Sequence, residues 1–283
     1  SEASKNNSFG TKKRSRTCAI TTYETSGFDM AVLQYRLENH VGLVTLNRPE
    51  ARNSLNPELI VELAEIWERI KADSEVRVVV LTGAGDSTFC SGFDLGTTIP
   101  LITGSREPQN KFEQAIFEDK ALLRQATLVG HDIGKPIIAA VNGHAIAGGM
   151  ELLLACDLRV VAQGVKLGLS EVALGLIPGM GGTALLRRHL PGALAMEMLL
   201  GAKPIISDDL ANSGLFNRLA PASETLPSAL ELAQTIASNA PLAVQAARQV
   251  VRKSADLEES EALLLETEIG EALAKTEDAV EGP

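Results

Sequence analysis

The stretch Val76–Gly83, VRVVVLTG, constrains the fold most, because it is apolar almost throughout rather than at alternate positions. A strand with one wet face alternates, so an unbroken run needs cover on both faces, and that points to a parallel sheet with helices on each side. The run KPIIAAVNG, residues 135–143, repeats the pattern. Between the strands lie helical segments. In NPELIVELAEIWERIKAD, Asn56 suits the N-cap, Pro57 the first helical position and Glu58 the positive helix end. Leu59, Leu63, Ile66 and Ile70 share one face.

The same reading extends along the chain. VLQYRLE and GLVTLNR form a hairpin across Asn39-His40, and residues 112–129 are helical. GGMELLLAC is a short helix and DLRVVAQ a strand. GGTALLRRHL and ALAMEMLLGA are helices, SDDLANSG is a short helix ending at Gly214, and LFNRLAP is a last strand. Residues 226–239, 241–254 and roughly 257–275 are helical. Strand-strand-helix units followed by helices describe an α/β chain. It divides into a flexible tail at 1–29, a core at 30–224 and a helical region at 225–283.

Charge and composition narrow the function. A formal net charge of −10 argues against a nucleic-acid binder, although Lys12, Lys13, Arg14 and Arg16 leave an RNA-binding tail as a non-enzymatic alternative. No apolar run reaches the ~18 residues of a membrane span. Three cysteines without paired spacing suit a reducing compartment, the cytoplasm or alternatively the mitochondrial matrix. Four scattered histidines offer no metal-ligand spacing, so no metal is expected. GAGDST follows a strand as a dinucleotide loop would, but its third glycine position holds Thr88, and no GK[ST] occurs. Ser91 and Ser170 lack the GxSxG elbow of a serine hydrolase.

Two acids and two glycine turns carry the chemistry. Glu151 sits inside GGMELLLAC, where an unpaired carboxylate costs several kcal/mol or surrenders its charge. Either it is needed for proton transfer or it pairs with a cation such as Arg159 or Arg187. Glu171, in LGLSEVALGLIPGMGGT, is either a second reacting acid or a solvated loop acid. Ser91-Gly92 and Gly148-Gly149 each follow a strand, so their N–H groups can converge on one carbonyl oxygen.

Taken in order, LNRPEARNSLN, VVVLTGAGDSTFCSGFDL, KPIIAAVNGHAIAGGMELLLACDLRV, EVALGLIPGMGGT and TEDAVEG resemble the enoyl-CoA hydratase/isomerase (crotonase) family over residues 32–282. The resemblance implies a spiral of strand-strand-helix units with C-terminal helices that build trimers, often paired as hexamers. It implies an acyl-CoA substrate, with coenzyme A part of the substrate and no separate cofactor. Position by position, the two oxyanion-hole N–H groups fall on Ser91 and Gly148. The two hydratase glutamates fall on Glu151, which activates water, and Glu171, which protonates Cα. Both being present implies an enoyl-CoA hydratase that adds water to a trans-2-enoyl-CoA. Double-bond isomerisation or a hydratase-lyase reaction is the alternative within the family. Ser91, Gly92, Phe93, Asp94 and Gly149 are expected along the thioester and pantetheine, and Arg48 and Arg52 near the CoA phosphates. Asp157 is expected to brace a strand turn.

Some positions depart from the family pattern. Ala147 stands where a first glycine is common, LGLSE lacks a frequent proline, and Phe93 is bulky. The connection from Gly96 to Gly134 is long enough to cap the substrate. The family also continues into a further helix after the position of EGP, one expected to support trimer packing and adenine contacts.

Overall fold

The structure is a computed structural model that describes residues 26–277 and 279. It opens with β1 (Ser26–Asp29), β2 (Leu33–Glu38) and β3 (Val41–Leu46), an antiparallel meander. The β2–β3 hairpin turns on Asn39 and His40, both at positive φ, the geometry that matches strand twist in a two-residue loop. Ser26–Asp29 were expected in the tail. Instead they pair with Gln34–Leu37, a strand too short to show a period in sequence. The basic cluster Lys12–Arg16 lies outside the described residues.

Helix α1 (Pro57–Ala72) starts as expected, with the Asn56 side chain accepting the Leu59 N–H at 3.0 Å. At its far end the buried Lys135 donates Nζ to the Ile70 and Asp73 carbonyls, adding to the Asp73 and Val76 N–H groups they already accept. Strand β4 (Val78–Gly83) is buried at every residue and runs parallel between its neighbours, as its unbroken apolar run requires. There follow β5 (Thr88–Cys90), α2 (Thr98–Ile102), α3 (Lys111–Glu118) and α4 (Ala121–Ala126). The helix expected at 112–129 is therefore two, broken where Asp119 turns extended and accepts the Ala121 N–H at 2.8 Å.

The next elements alternate between two sheets. They are β6 (Ile137–Val141), β7 (His144–Ile146) and α5 (Gly148–Ala155), then β8 (Leu158–Ala162), β9 (Lys166–Gly168), a 3₁₀ turn at Glu171–Leu174 and α6 (Gly182–His189). After α7 (Gly192–Gly201) and β10 (Ile205–Ile206), SDDLANSG forms only a 3₁₀ turn at Ser207–Leu210 and further turns, not a helix reaching Gly214. The chain ends with β11 (Arg218–Ala220), α8 (Ala222–Ala237), α9 (Pro241–Ser254) and α10 (Glu259–Leu273).

A seven-stranded sheet has the order β1-β2-β3-β4-β6-β8-β11, and a four-stranded sheet the order β10-β9-β7-β5. Each turn of the spiral gives one strand to each sheet: β4 then β5, β6 then β7, β8 then β9. Helices follow, so the expected strand-strand-helix repeat is the observed one. One face of the large sheet packs with α1, α4 and α5 in the main core, and the other is sealed by α8 through Ala229, Ala233 and Ala237. Helix α8 thus belongs to the core, and the expected boundary at 225 cuts through it. Sequence shows that 226–239 is helical but not what its alanine face packs against.

Helix α9 is held to the core by ions. Asp157 accepts from Arg248 Nε and Arg252 Nη1, both at 2.8 Å, and also from the Ile137 N–H at 2.9 Å. Its expected bracing role is what the structure displays. Helix α10 packs on α9 and leaves Leu263 and Leu264 exposed.

Candidate active site

Strands β5, β7 and β9 are adjacent, parallel and three residues long each. The segments containing Ser91–Asp94, Gly148–Glu151 and Glu171 leave the same, C-terminal end of these three strands. Strand ends of this kind are where α/β sheets collect ligand-binding loops. The fold therefore gathers the two glycine turns and both acids at one place.

The two turns touch. A Cβ placed on Gly92, at φ +91°, would lie 2.8 Å from the Gly148 nitrogen, so only glycine permits this approach. The Phe93 ring covers Gly148, where an added Cβ would meet Cδ2 at 3.2 Å. Ala147 holds φ +52°, ψ −125° to start α5, a backbone that favours glycine and costs about 1–3 kcal/mol in a residue with a side chain. The Gly148 N–H begins the helix and has no acceptor among the described residues.

The expected donor at Ser91 is corrected. Its N–H is donated to the Arg52 carbonyl at 3.1 Å. Further on, the Gly92 carbonyl accepts the Leu55 N–H at 2.8 Å and the Asp94 N–H is donated to the Leu55 carbonyl at 3.1 Å. A trans peptide sets its C=O and N–H in opposite directions, so the Phe93 N–H points away from Leu55. It has no acceptor among the described residues. The unspent pair of N–H groups at the touching turns is that of Phe93 and Gly148. No local signal identifies the right peptide, because Leu55 and Arg52, distant in sequence, decide it.

Glu151 is buried in the first turn of α5 and makes no ion pair with Arg159 or Arg187. Arg159 instead caps the end of α5, donating to the Leu153, Leu154 and Cys156 carbonyls. Glu151 Oε1 accepts the N–H groups of Met180 at 2.7 Å and Gly182 at 3.0 Å. These anchors belong to PGMGGT, residues 178–183, a glycine-rich stretch to which the sequence alone assigns no contact with Glu151. Oε2 has no partner among the described residues. Burial raises the carboxyl to about 7; the Gly182 N–H opposes the rise, the nearby Glu171 charge adds to it and the Met180 N–H opposes it. Glu171 begins the 3₁₀ turn, and its buried Oε2 has no hydrogen-bond partner. Burial also holds this carboxyl above its usual value, against the N–H groups of Glu171 and Ser170. It is not a solvated loop acid.

A cleft of about 570 Å³ lies beside this site, lined by Phe93, Ile146 and Ser170, which neighbour the turns and Glu171 in the chain, and by Thr88, His144 and Arg52. Asp94 reaches its wall but is occupied. It accepts from Ser54 Oγ at 3.0 Å and from the Gly96 and Thr97 N–H groups, and Arg48 lies 3.6 Å away. Burial would raise its carboxyl, but the bonds from Thr97, Ser54 and Gly96 and the Arg48 charge bring it below its usual value. Arg48 also donates to Ser54 and is mostly buried, so it is spent on this cluster; Arg52 alone of the two arginines is exposed. Gly149 is a packing residue, since a Cβ there would collide with the Cys90 carbonyl. The long connection does reach the cleft: Leu95 and Gly96 line it, and Arg106 ties Gly96 to the buried Glu113. Cys90 and Cys156 are free and buried, and burial pushes each thiol to about 12. Among the described residues no cluster of His, Cys, Asp and Glu could hold a metal ion, and no helix is long and apolar enough to cross a membrane.

Residues 36–283 match the enoyl-CoA hydratase/isomerase family. The chain is 40% identical to (E)-benzylidenesuccinyl-CoA hydratase of Thauera aromatica, over 87% of this chain and 92% of that protein. It is 38% identical to enoyl-CoA hydratase EchA19 of Mycobacterium tuberculosis, over 86% of this chain and 89% of that protein. Among solved structures, enoyl-CoA hydratase from Bacillus anthracis is similar with a TM-score of 0.77 at 33% identity, covering 92% of this chain and 94% of that one.

Proposed function

The chain belongs to the enoyl-CoA hydratase/isomerase family, and on that premise we propose how its residues perform the hydratase reaction. It is a hydro-lyase that adds water across the double bond of a 2-enoyl-CoA. The observation that supports the roles is the meeting of two unspent N–H groups with two buried, partly unbonded carboxylates at one end of β5, β7 and β9.

The Phe93 and Gly148 N–H groups hold the thioester oxygen. Glu151, anchored through Oε1, takes a proton from water with Oε2 while the water oxygen bonds to Cβ. The π electrons move toward the thioester oxygen, where the two N–H groups favour the enolate over the substrate. Protonated Glu171 then delivers a proton to Cα, giving the 3-hydroxyacyl-CoA. Raised pKa values suit both steps: Glu151, at about 7, can take a proton from water, and burial shifts Glu171 toward the protonated form that donates to Cα. No cofactor enters the scheme, and coenzyme A arrives as part of the substrate. Arg52, exposed at the outer part of the cleft, is placed to meet a CoA phosphate.

Self-association as a trimer or hexamer is supported by the exposed Leu257, Leu263 and Leu264 around α10, since leucines this open favour burial against another copy. A cytoplasmic location agrees with the free buried thiols, the mitochondrial matrix being the alternative. A non-enzymatic role finds no support in the relatives, which are named as enzymes. The test is incubation with crotonyl-CoA in ¹⁸O water. Hydration removes the enoyl-thioester absorbance and places the label on C3. A shifted double bond without label identifies an isomerase instead.

A further inference from the structure

The proposed reaction assigns no role to His144, yet the fold presents it to the substrate cleft. His144 and Ile146 alternate on one face of β7 and both line the cleft, while Ala145 between them is buried on the other face. The backbone N–H of Lys166 on β9 is donated to His144 Nδ1 at 3.0 Å. A main-chain amide can only donate, so Nδ1 is an acceptor and the neutral imidazole carries its hydrogen on Nε2. That Nε2–H has no partner among the described residues, although the ring is half-buried. The neighbouring strand thus fixes both the tautomer and the setting of a donor beside the cleft.

We infer that His144 Nε2–H recognises the pantetheine arm of the substrate by donating to its outer amide carbonyl. This rests on the acyl-CoA reading above. Gly148 lies four positions after His144, with strand through Ile146 and a turn at Ala147, so the histidine lies about 10–13 Å from the thioester-binding end. Along an extended pantetheine arm the inner amide carbonyl is only about 6 Å from the thioester carbon and the outer one about 11 Å, from ordinary bond lengths. Only the outer carbonyl matches.

Saturated thioesters test this without turnover. Butyryl-CoA, butyryl-pantetheine and butyryl-N-acetylcysteamine share the acyl group, but the last carries the inner amide alone. Dissociation constants are measured for wild type, His144→Phe and His144→Gln. The Phe variant is expected to bind butyryl-CoA and butyryl-pantetheine roughly three- to tenfold more weakly, the effect of one net hydrogen bond, with N-acetylcysteamine binding unchanged. The Gln variant keeps a donor and is expected within about twofold of wild type. Equal loss on all three ligands, no loss on any, or loss confined to butyryl-CoA overturns the assignment. Wild-type protein that binds none of them overturns the acyl-CoA reading itself, and His144 with it.

Discussion

Gly92 packs so tightly on Gly148 that a methyl group at residue 92 would meet both the Gly148 nitrogen, at 2.8 Å, and the Ile146 carbonyl, at 3.0 Å. The contact joins the two turns whose N–H groups we propose hold the thioester oxygen, and it requires the φ of +91° that Gly92 adopts.

Gly92→Ala forces those turns apart and places a side chain in a left-handed backbone. The variant is expected to lose about 1–3 kcal/mol of stability. Its kcat is expected to fall on the order of 10²–10³, the cost of losing one oxyanion donor. Denaturant unfolding and steady-state kinetics measure the two effects separately.

Glu151 makes stability depend on pH. In the folded chain it takes its proton near pH 7, against 4.5 for an ordinary glutamate. Between these values the folded state binds more protons than the unfolded one, so this group's cost is full above pH 7 and fades as pH falls toward 4.5. Glu151→Gln removes the cost and keeps an acceptor for Met180 and Gly182. It is expected to be more stable than wild type at pH 8 by roughly 3 kcal/mol, with the gap closing by pH 4. Urea unfolding at both pH values reads the difference.

Arg48 and Arg52 separate stability from binding. Arg48→Ala strips a mostly buried cation from Ser54 and Asp94 and is expected to destabilise by about 1.5–3 kcal/mol. Arg52→Ala removes an exposed charge and is expected to stay within about 0.5 kcal/mol of wild-type stability. Its KM for a CoA thioester is expected to rise at low salt and converge with wild type at high salt. Thermal unfolding and a salt series of KM values check the contrast.

Much of this was legible in the chain. The unbroken runs at 76–83 and 135–143 demand a sheet covered on both faces, and that sheet is there. Glu151 stands out because a carboxylate breaks an apolar helix, a conflict that belongs to a single residue. What stayed hidden depends on partners distant in sequence. Which peptide near Gly92 keeps a free N–H is settled by Leu55 and Arg52, so the sequence points to Ser91 where the structure leaves Phe93 free. Arg48 reads as an open cation until Asp94 folds beside it. Strands β5, β7 and β9 are too short to produce a period, yet their shared end assembles the site.

The central claim is that Glu151 and Glu171 act together on one water, and single-turnover hydration of crotonyl-CoA tests it most directly. Glu151→Gln and Glu171→Gln are each expected to slow the chemical step by roughly 10²–10⁴, the range for a general acid or base. The double variant is expected to fall far short of the product of the two losses, as for groups acting as a unit. Wild-type rates in both single variants would contradict the account.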